Sequence, residues 1–85
     1  MNNVTYQEKR DKLDILIKML EVTSEPCKKT HILYKANLNY YQLNKYLNEL
    51  LDLGLVKEIQ IPYKCYVTTS KGKEFLLIMK NNKNN

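Results

Sequence analysis

The stretch that most constrains how this chain folds runs from Asn39 to Gly54. Leucines recur in it at i, i+4, i+7 and i+8, which places them on one stripe of an α-helix that must be buried. They are Leu43, Leu47, Leu50 and Leu51. Asn39 can cap the start of the helix together with Gln42, and Gly54 suits a left-handed end. The sequence therefore predicts a helix over about residues 40–53.

The opposite side of this helix is polar. It carries Tyr41, Asn44, Lys45 and Asn48 at helical spacing. Ahead of it, Thr30 is predicted to cap a shorter helix over residues 31–36. The Asn-Leu-Asn segment of residues 37–39 makes the corner between the two helices. The stretch therefore predicts a helix-turn-helix whose second helix has one core stripe and one hydrogen-bonding face.

The remaining elements are predicted from apolar periodicity and from chain breakers. A first helix covers residues 6–22, strands cover residues 55–61 and 65–68, and a last helix, capped by Thr69, covers residues 70–79. Pro62 favours a type I turn over residues 61–64, which puts Tyr63 and Lys64 at the tip of a hairpin. Residues 1–5 are expected to fray, residues 6–80 to form one domain, and residues 81–85 to form a polar tail.

Three segments carry a resemblance to a known family. They read THILYKANLNYYQLNKYL, then GLV, and near the C-terminus TSKGKEFL. Over residues 14–77 the chain closely resembles the archaeal winged helix-turn-helix transcriptional regulators. The resemblance implies a mainly α fold with a small β-hairpin, made of a three-helix core, a two-stranded wing and a C-terminal helix. It also implies a brief strand at Cys27 that pairs with the wing, whereas Thr68 replaces the apolar residue that the family usually has there.

The charge of the chain favours a polyanion as its partner. The formal net charge is +5 at pH 7, and residues 54–85 hold six Lys or Arg against two Asp or Glu. A basic surface attracts nucleic acid, although an acidic protein or a lipid headgroup would satisfy the same charge. Together with the resemblance, this predicts binding of double-stranded DNA, with the helix of residues 40–53 in the major groove and the hairpin tip over the adjacent backbone or minor groove. Regulation of transcription follows from the resemblance alone.

Ten residues are candidate DNA contacts. They are Lys28, Lys29, Asn39, Tyr41, Gln42, Asn44, Lys45, Asn48, Tyr63 and Lys64. Asparagine and glutamine amides pair with adenine, lysine reaches guanine or phosphate, and tyrosine touches phosphate or a thymine methyl group. Two other functions stay open. One is a low-specificity architectural protein that coats DNA, and the other is a winged helix that binds a protein partner.

The sequence offers no catalytic or metal site. His31 and Cys27 would supply two ligands where structural zinc needs four, and two glycines cannot build a phosphate-binding loop. We therefore expect no enzyme activity, no cofactor and no metal. If the connector strand pairs with the second wing strand, Cys27 and Cys65 come near each other, which leaves open a disulfide or two free thiols.

The apolar residues also bear on assembly and location. A second apolar stripe on the first helix, made of Ile15, Met19 and Val22, and the apolar run of residues 75–79 exceed what so small a core covers. We therefore expect a symmetric homodimer through the first and last helices. No apolar run reaches the ~18 to 20 residues that span a bilayer, and residues 1–12 lack the apolar middle of a signal peptide. We expect a cytoplasmic, nucleoid-associated protein.

Overall fold

The chain folds into four helices and a two-stranded antiparallel hairpin in a computed structural model, which describes residues 10–83. The elements are α1 (Lys12–Val22), α2 (Lys29–Lys35), α3 (Tyr40–Asp52), β1 (Val56–Ile59), β2 (Cys65–Thr68) and α4 (Ser70–Lys83). The predicted class, a helical core with a small hairpin and a C-terminal helix, is confirmed. Within residues 10–83, no helix is long and apolar enough to cross a membrane.

Helix α1 begins later than predicted. Asp11 caps it, and the Asp11 carboxylate accepts a hydrogen bond of 2.8 Å from the Asp14 N–H. The predicted helix over residues 6–22 is therefore wrong at residues 10 and 11, while residues 6–9 and the predicted frayed end of residues 1–5 lie outside the described part. Ile15 and Met19 are 3% and 0% exposed within this single chain. The inference that they form a surplus stripe left for a partner is wrong, because they belong to the central core.

Helices α2 and α3 form the predicted helix-turn-helix, with one change at its start. Helix α2 begins at Lys29, so Thr30 lies inside it, and the N-cap residue Lys28 makes no capping bond through its side chain. The predicted Thr30 cap is therefore wrong. At the corner, Asn37 has a φ of 56°, a left-handed conformation that asparagine adopts more readily than most side chains.

The capping box of α3 is confirmed. The Asn39 side-chain oxygen accepts from the Gln42 N–H at 2.8 Å, and the Gln42 side-chain oxygen accepts from the Asn39 N–H at 3.1 Å. The helix ends at Asp52, and Gly54 follows with a φ of 75°. Three leucines of its stripe are fully buried: Leu43, Leu47 and Leu50. Each such side chain contributes about 1.5–3 kcal/mol through its removal from water.

The hairpin is the predicted wing, with a shorter first strand and a different tip. Val56 pairs with Thr68 and Ile59 with Cys65, so β1 ends two residues earlier than residue 61. The tip bends at residues 61–63 and its Ile61–Pro62 peptide bond is cis. Residues 61–63 form a bend without the hydrogen bond from the Lys64 N–H to the Ile61 carbonyl that would close a type I turn, so the predicted hydrogen-bonded turn is not formed.

A third segment joins the hairpin, as the resemblance implied. Cys27 and Tyr66 exchange two backbone hydrogen bonds of 2.9 Å. Close by, the Thr68 hydroxyl donates to the Leu20 carbonyl at 2.9 Å and lies 2.8 Å from the Thr23 hydroxyl, both threonines being buried. The polar residue at position 68 is thus satisfied by hydrogen bonds, which tie β2 to the end of α1.

Helix α4 packs along α1 and is longer than predicted. The Thr69 hydroxyl accepts from the Gly72 N–H at 3.0 Å, which confirms the predicted cap. The helix continues to Lys83, so its predicted end near residue 79 is wrong and most of the predicted tail of residues 81–85 is helical, with Asn84 and Asn85 outside the described part. An ion pair of 2.9 Å between Lys80 and Glu21 ties α4 to α1.

Candidate nucleic-acid interface

The outer face of α3 presents four predicted contact residues together. They are Tyr41, Asn44, Lys45 and Asn48, and all four are exposed. The leucine stripe of α3 faces the core. By helical spacing these four residues lie on the opposite side of the same helix, so they point to solvent. Helix α3 therefore buries leucines on one side and exposes two amides, one ammonium group and one phenol on the other.

Aromatic rings hold the lysine on this face. The Lys45 ammonium lies 5.6 Å from the centre of the Tyr41 ring and 5.7 Å from that of Tyr46. Such cation–π contacts contribute ~0.5–1 kcal/mol at exposed sites and restrict the lysine without neutralising it. The charge of Lys45 therefore stays near the middle of the polar face.

Two of the predicted contacts are already engaged. The side-chain oxygens of Asn39 and Gln42 both accept hydrogen bonds in the capping box. A bidentate contact with adenine uses the amide oxygen as well as the amide nitrogen. At these two positions that contact competes with the cap, whereas the structure gives Asn44 and Asn48 no such role at the helix start.

The remaining predicted contacts gather where the hairpin tip meets the start of α2. The Lys28 ammonium lies 4.8 Å from the centre of the Tyr63 ring, so the structure brings these two residues together. Tyr63 is 51% exposed, and Lys29 and Lys64 are exposed as well. The site therefore has two parts: the outer face of α3, and a basic cluster made of Lys28, Lys29, Tyr63 and Lys64.

Two exposed tyrosines, Tyr34 and Tyr40, are not among the predicted contacts. Tyr34 is 78% exposed, whereas Tyr46 is half-buried and Tyr66 is buried. Tyr40, the first residue of α3, is 60% exposed. The signal for Tyr34 was available, because it follows the buried Ile32 by two positions and so lies on the other side of α2.

Two residues on the N-terminal side, Arg10 and Lys12, contact the helix-turn-helix. The Arg10 guanidinium donates to the Ala36 carbonyl at 2.8 Å and to the Asn37 carbonyl at 2.6 Å. Lys12 forms an ion pair of 2.8 Å with Glu49 of α3. The pKa of Lys12 is raised above its usual value, first by the hydrogen bond to Glu49 and then by the charge of that carboxylate. The two hydrogen bonds from Arg10 cap the carbonyl end of α2, and the sequence analysis did not predict this role.

The two cysteines are buried free thiols. Burial raises the pKa of Cys27 above its usual value, and nearby Lys35 partly offsets that effect. A thiol with a raised pKa holds less of the reactive thiolate at neutral pH. Among residues 10–83 there is no group of three or more His, Cys, Asp or Glu side chains that could hold a metal ion.

Comparison with known proteins gives one family and several similar structures. A family model described as winged helix-turn-helix matches residues 9–85. No curated protein sequence gives a match. Among solved structures, Sso10a-2, a DNA-binding protein from Sulfolobus solfataricus, is 28% identical to this chain with a TM-score of 0.69. That alignment covers 88% of this chain and 87% of Sso10a-2.

Two further structures are similar in fold. A MarR family transcriptional regulator from Silicibacter pomeroyi is 15% identical with a TM-score of 0.72, and the alignment covers 94% of this chain and 55% of that one. ZitR from Lactococcus lactis is 15% identical with a TM-score of 0.67, and the alignment covers 99% of this chain and 60% of ZitR. This chain therefore spans little more than half the length of these two proteins, and the likeness concerns the fold.

Proposed function

The chain belongs to the winged helix-turn-helix family, whose model matches residues 9–85, and from that premise we propose that it binds double-stranded DNA sequence-specifically and regulates transcription. Helix α3 lies in the major groove, and the tip of the hairpin lies over the adjacent backbone or minor groove. The similarity to Sso10a-2, which is described as a DNA-binding protein, supports this proposal. The role is one of binding without catalysis, carried out on DNA in the cytoplasm at the nucleoid.

The observation that carries the proposal is the division of α3 into two faces. Leu43, Leu47 and Leu50 are buried, whereas Asn44, Lys45 and Asn48 are exposed. A major groove admits one α-helix and displays a distinct donor and acceptor pattern for each base pair. Asn44 and Asn48 are the bidentate readers of adenine, and Lys45 is the donor to guanine or phosphate.

The basic cluster positions the protein on the duplex. Contacts to phosphate fix orientation but carry no sequence information. Lys28, Lys29 and Lys64 supply such contacts, and Tyr63 touches the sugar beside them. The tip and the start of α2 act as one unit, because the Lys28 ammonium lies over the Tyr63 ring.

We also propose a symmetric homodimer, with α4 as its principal contact. Leu77 and Ile78 are 63% and 55% exposed on that helix, whereas the apolar stripe of α1 is covered within the chain. A twofold axis would place two copies of α3 on the two halves of a palindromic site. Ile15 and Met19 of the first helix take no part in the dimer, because the core covers them.

A second candidate function is low-specificity coating of DNA, which the spread of basic residues over the C-terminal third favours. Residues 54–85 hold six Lys or Arg against two Asp or Glu. Selection of bound sequences from a random DNA pool at moderate salt distinguishes sequence-specific binding from low-specificity coating. A reader of sequence enriches a defined motif, whereas a coating protein enriches none and loses its affinity steeply as salt rises. Failure to retain any DNA would favour a protein partner instead.

A further inference from the structure

The most exposed large hydrophobic side chain of the described residues is at the tip of the hairpin. Ile61 is 84% exposed, against 63% for Leu77 and 55% for Ile78. Pro62 follows it and is exposed as well. One exposed apolar side chain is common on protein surfaces, but its burial in a bound state removes apolar surface from water and so favours binding.

The tip is anchored on both sides of Ile61. Ile59 pairs with Cys65 at the base of the tip, and the Lys28 ammonium lies 4.8 Å from the centre of the Tyr63 ring. On the N-terminal side, the Gln60 amide also donates to the Glu58 carboxylate. The strand pairing before Ile61 and the ring contact after it hold the chain on each side, which lowers the ordering that burial of the side chain requires.

The surroundings of Ile61 select the kind of partner. Exposed lysines lie close to Ile61 in the fold or in the chain: Lys28 contacts the Tyr63 ring, Lys29 follows Lys28, and Lys64 follows Tyr63. A pair of apolar residues within a basic cluster complements a polyanion that also offers apolar surface, and duplex DNA offers that surface between its stacked bases. A protein interface of ordinary size would need a larger apolar patch than Ile61 and Pro62 supply.

We propose that Ile61, backed by Pro62, is a wedge that enters the minor groove beside the major-groove site and partly separates two stacked base pairs. This inference rests on the proposed function. Inserted isoleucine side chains unstack base steps and kink the duplex toward the major groove. Pyrimidine–purine steps such as TA open most easily, so the wedge selects such a step without a hydrogen bond to any base. Ile61 is therefore a residue that determines specificity through the shape of the DNA.

The experiment uses the full chain and a duplex that carries the preferred motif with either a TA or a GC step where the tip lies. Ile61→Ala shortens the wedge, and Ile61→Leu keeps its bulk. Leu53→Ala is the matched control, because Leu53 is 54% exposed but lies at the end of α3, where its carbonyl accepts from Lys71 at 3.0 Å. Affinity is measured by fluorescence anisotropy. Unstacking is measured by the fluorescence of 2-aminopurine in place of the adenine of the TA step.

We expect the unchanged protein to prefer the TA duplex, to raise the 2-aminopurine signal and to bend the DNA. Ile61→Ala lowers affinity for the TA duplex roughly tenfold and abolishes the preference over GC. The Ile61→Leu and Leu53→Ala proteins keep the affinity for the TA duplex and the preference over GC. If Ile61→Ala binds and bends DNA as the unchanged protein does, the wedge is refuted while the proposed function stands. If the unchanged protein binds no duplex at all, the proposed function itself fails. Loss of binding to anionic vesicles in Ile61→Ala, with DNA behaviour unchanged, would overturn the wedge in favour of a membrane contact.

Discussion

At the scale of single residues, the base contact proposed for Asn48 can be tested by one substitution. Asn48→Ala should lower affinity for the preferred site by ~1–3 kcal/mol and relax the preference at one base pair, because it removes a bidentate amide. Asn48 is exposed, so the fold should be unaffected. Titration of the preferred duplex and of its single-base variants measures both effects.

The control for that experiment is the neighbouring residue Leu47, which faces the core. Leu47 is 2% exposed, so Leu47→Ala should lower the free energy of unfolding by ~2–5 kcal/mol. Its affinity for DNA should fall only as far as the protein unfolds. An Asn48→Ala protein that keeps full affinity and full base preference would remove Asn48 from the reading face.

Lysines of the basic cluster should behave differently from Asn48. Lys28→Ala or Lys64→Ala should weaken binding to all duplexes alike and reduce the slope of log K against log salt by ~0.9 per lost phosphate contact, because fewer counterions are released. Lys18→Ala removes the same charge from the exposed side of α1 and should leave the slope unchanged. Equal slopes for all these proteins would show that the cluster does not touch phosphate.

At the scale of elements, the close approach of α4 to the start of the hairpin can be tested at Gly72. A Cβ atom at this position would overlap the Leu55 carbonyl oxygen and the Thr68 methyl group. Alanine favours a helix over glycine by ~1 kcal/mol, but a backbone carbonyl cannot move aside as a side-chain tip does. Gly72→Ala should therefore lower the free energy of unfolding by ~1–3 kcal/mol.

Urea denaturation measures this effect, and Lys73→Ala serves as the control one position further along the helix. Lys73 is exposed, so its replacement should shift the midpoint little. A Gly72→Ala protein more stable than the unchanged one would mean that α4 does not pack this closely against Leu55.

The sequence predicted elements well where the deciding interactions are local. The Asn39 and Gln42 capping box and the Thr69 cap each join residues three positions apart, and both were correctly placed. The sequence failed where a distant group decides. Arg10 caps the end of α2 from 26 residues away in the chain, and nothing in the local sequence of either segment indicates that contact.

The same reason explains the error over the second apolar stripe of α1. Periodicity shows that Ile15 and Met19 are apolar and share a helix face, but not which elements come to cover them. In the fold they join Ile32, Leu43 and other residues in one cluster. Of the site, the outer face of α3 was predictable from helical spacing, whereas the meeting of Lys28 and Tyr63 depends on how the hairpin docks.

At the scale of the whole molecule, the proposed homodimer predicts a change in mass. Ile78→Lys places a charge in the exposed apolar patch of α4 and should give a monomer by light scattering at tens of micromolar, with the fold retained. Ser70→Lys adds the same charge to the exposed start of α4 and should stay dimeric. Met19→Lys is no test of the dimer, because Met19 is fully buried and the change should unfold the chain.

A monomeric mass for the unchanged protein would contradict the dimer. The DNA proposal would then predict a single half-site in place of a palindrome, since one copy of α3 reads one half-site. Sequence preference and oligomeric state can therefore be measured independently of each other.

Selection from a random duplex pool at moderate salt measures whether α3 reads DNA sequence. The unchanged protein should enrich a defined motif. The doubly substituted Asn44→Ala, Asn48→Ala protein, folded to the same extent by circular dichroism, should lose the preference at the base pairs that these amides read while keeping its weaker, salt-sensitive attraction to DNA. Enrichment of the same motif with the same affinity by both proteins would contradict the claim.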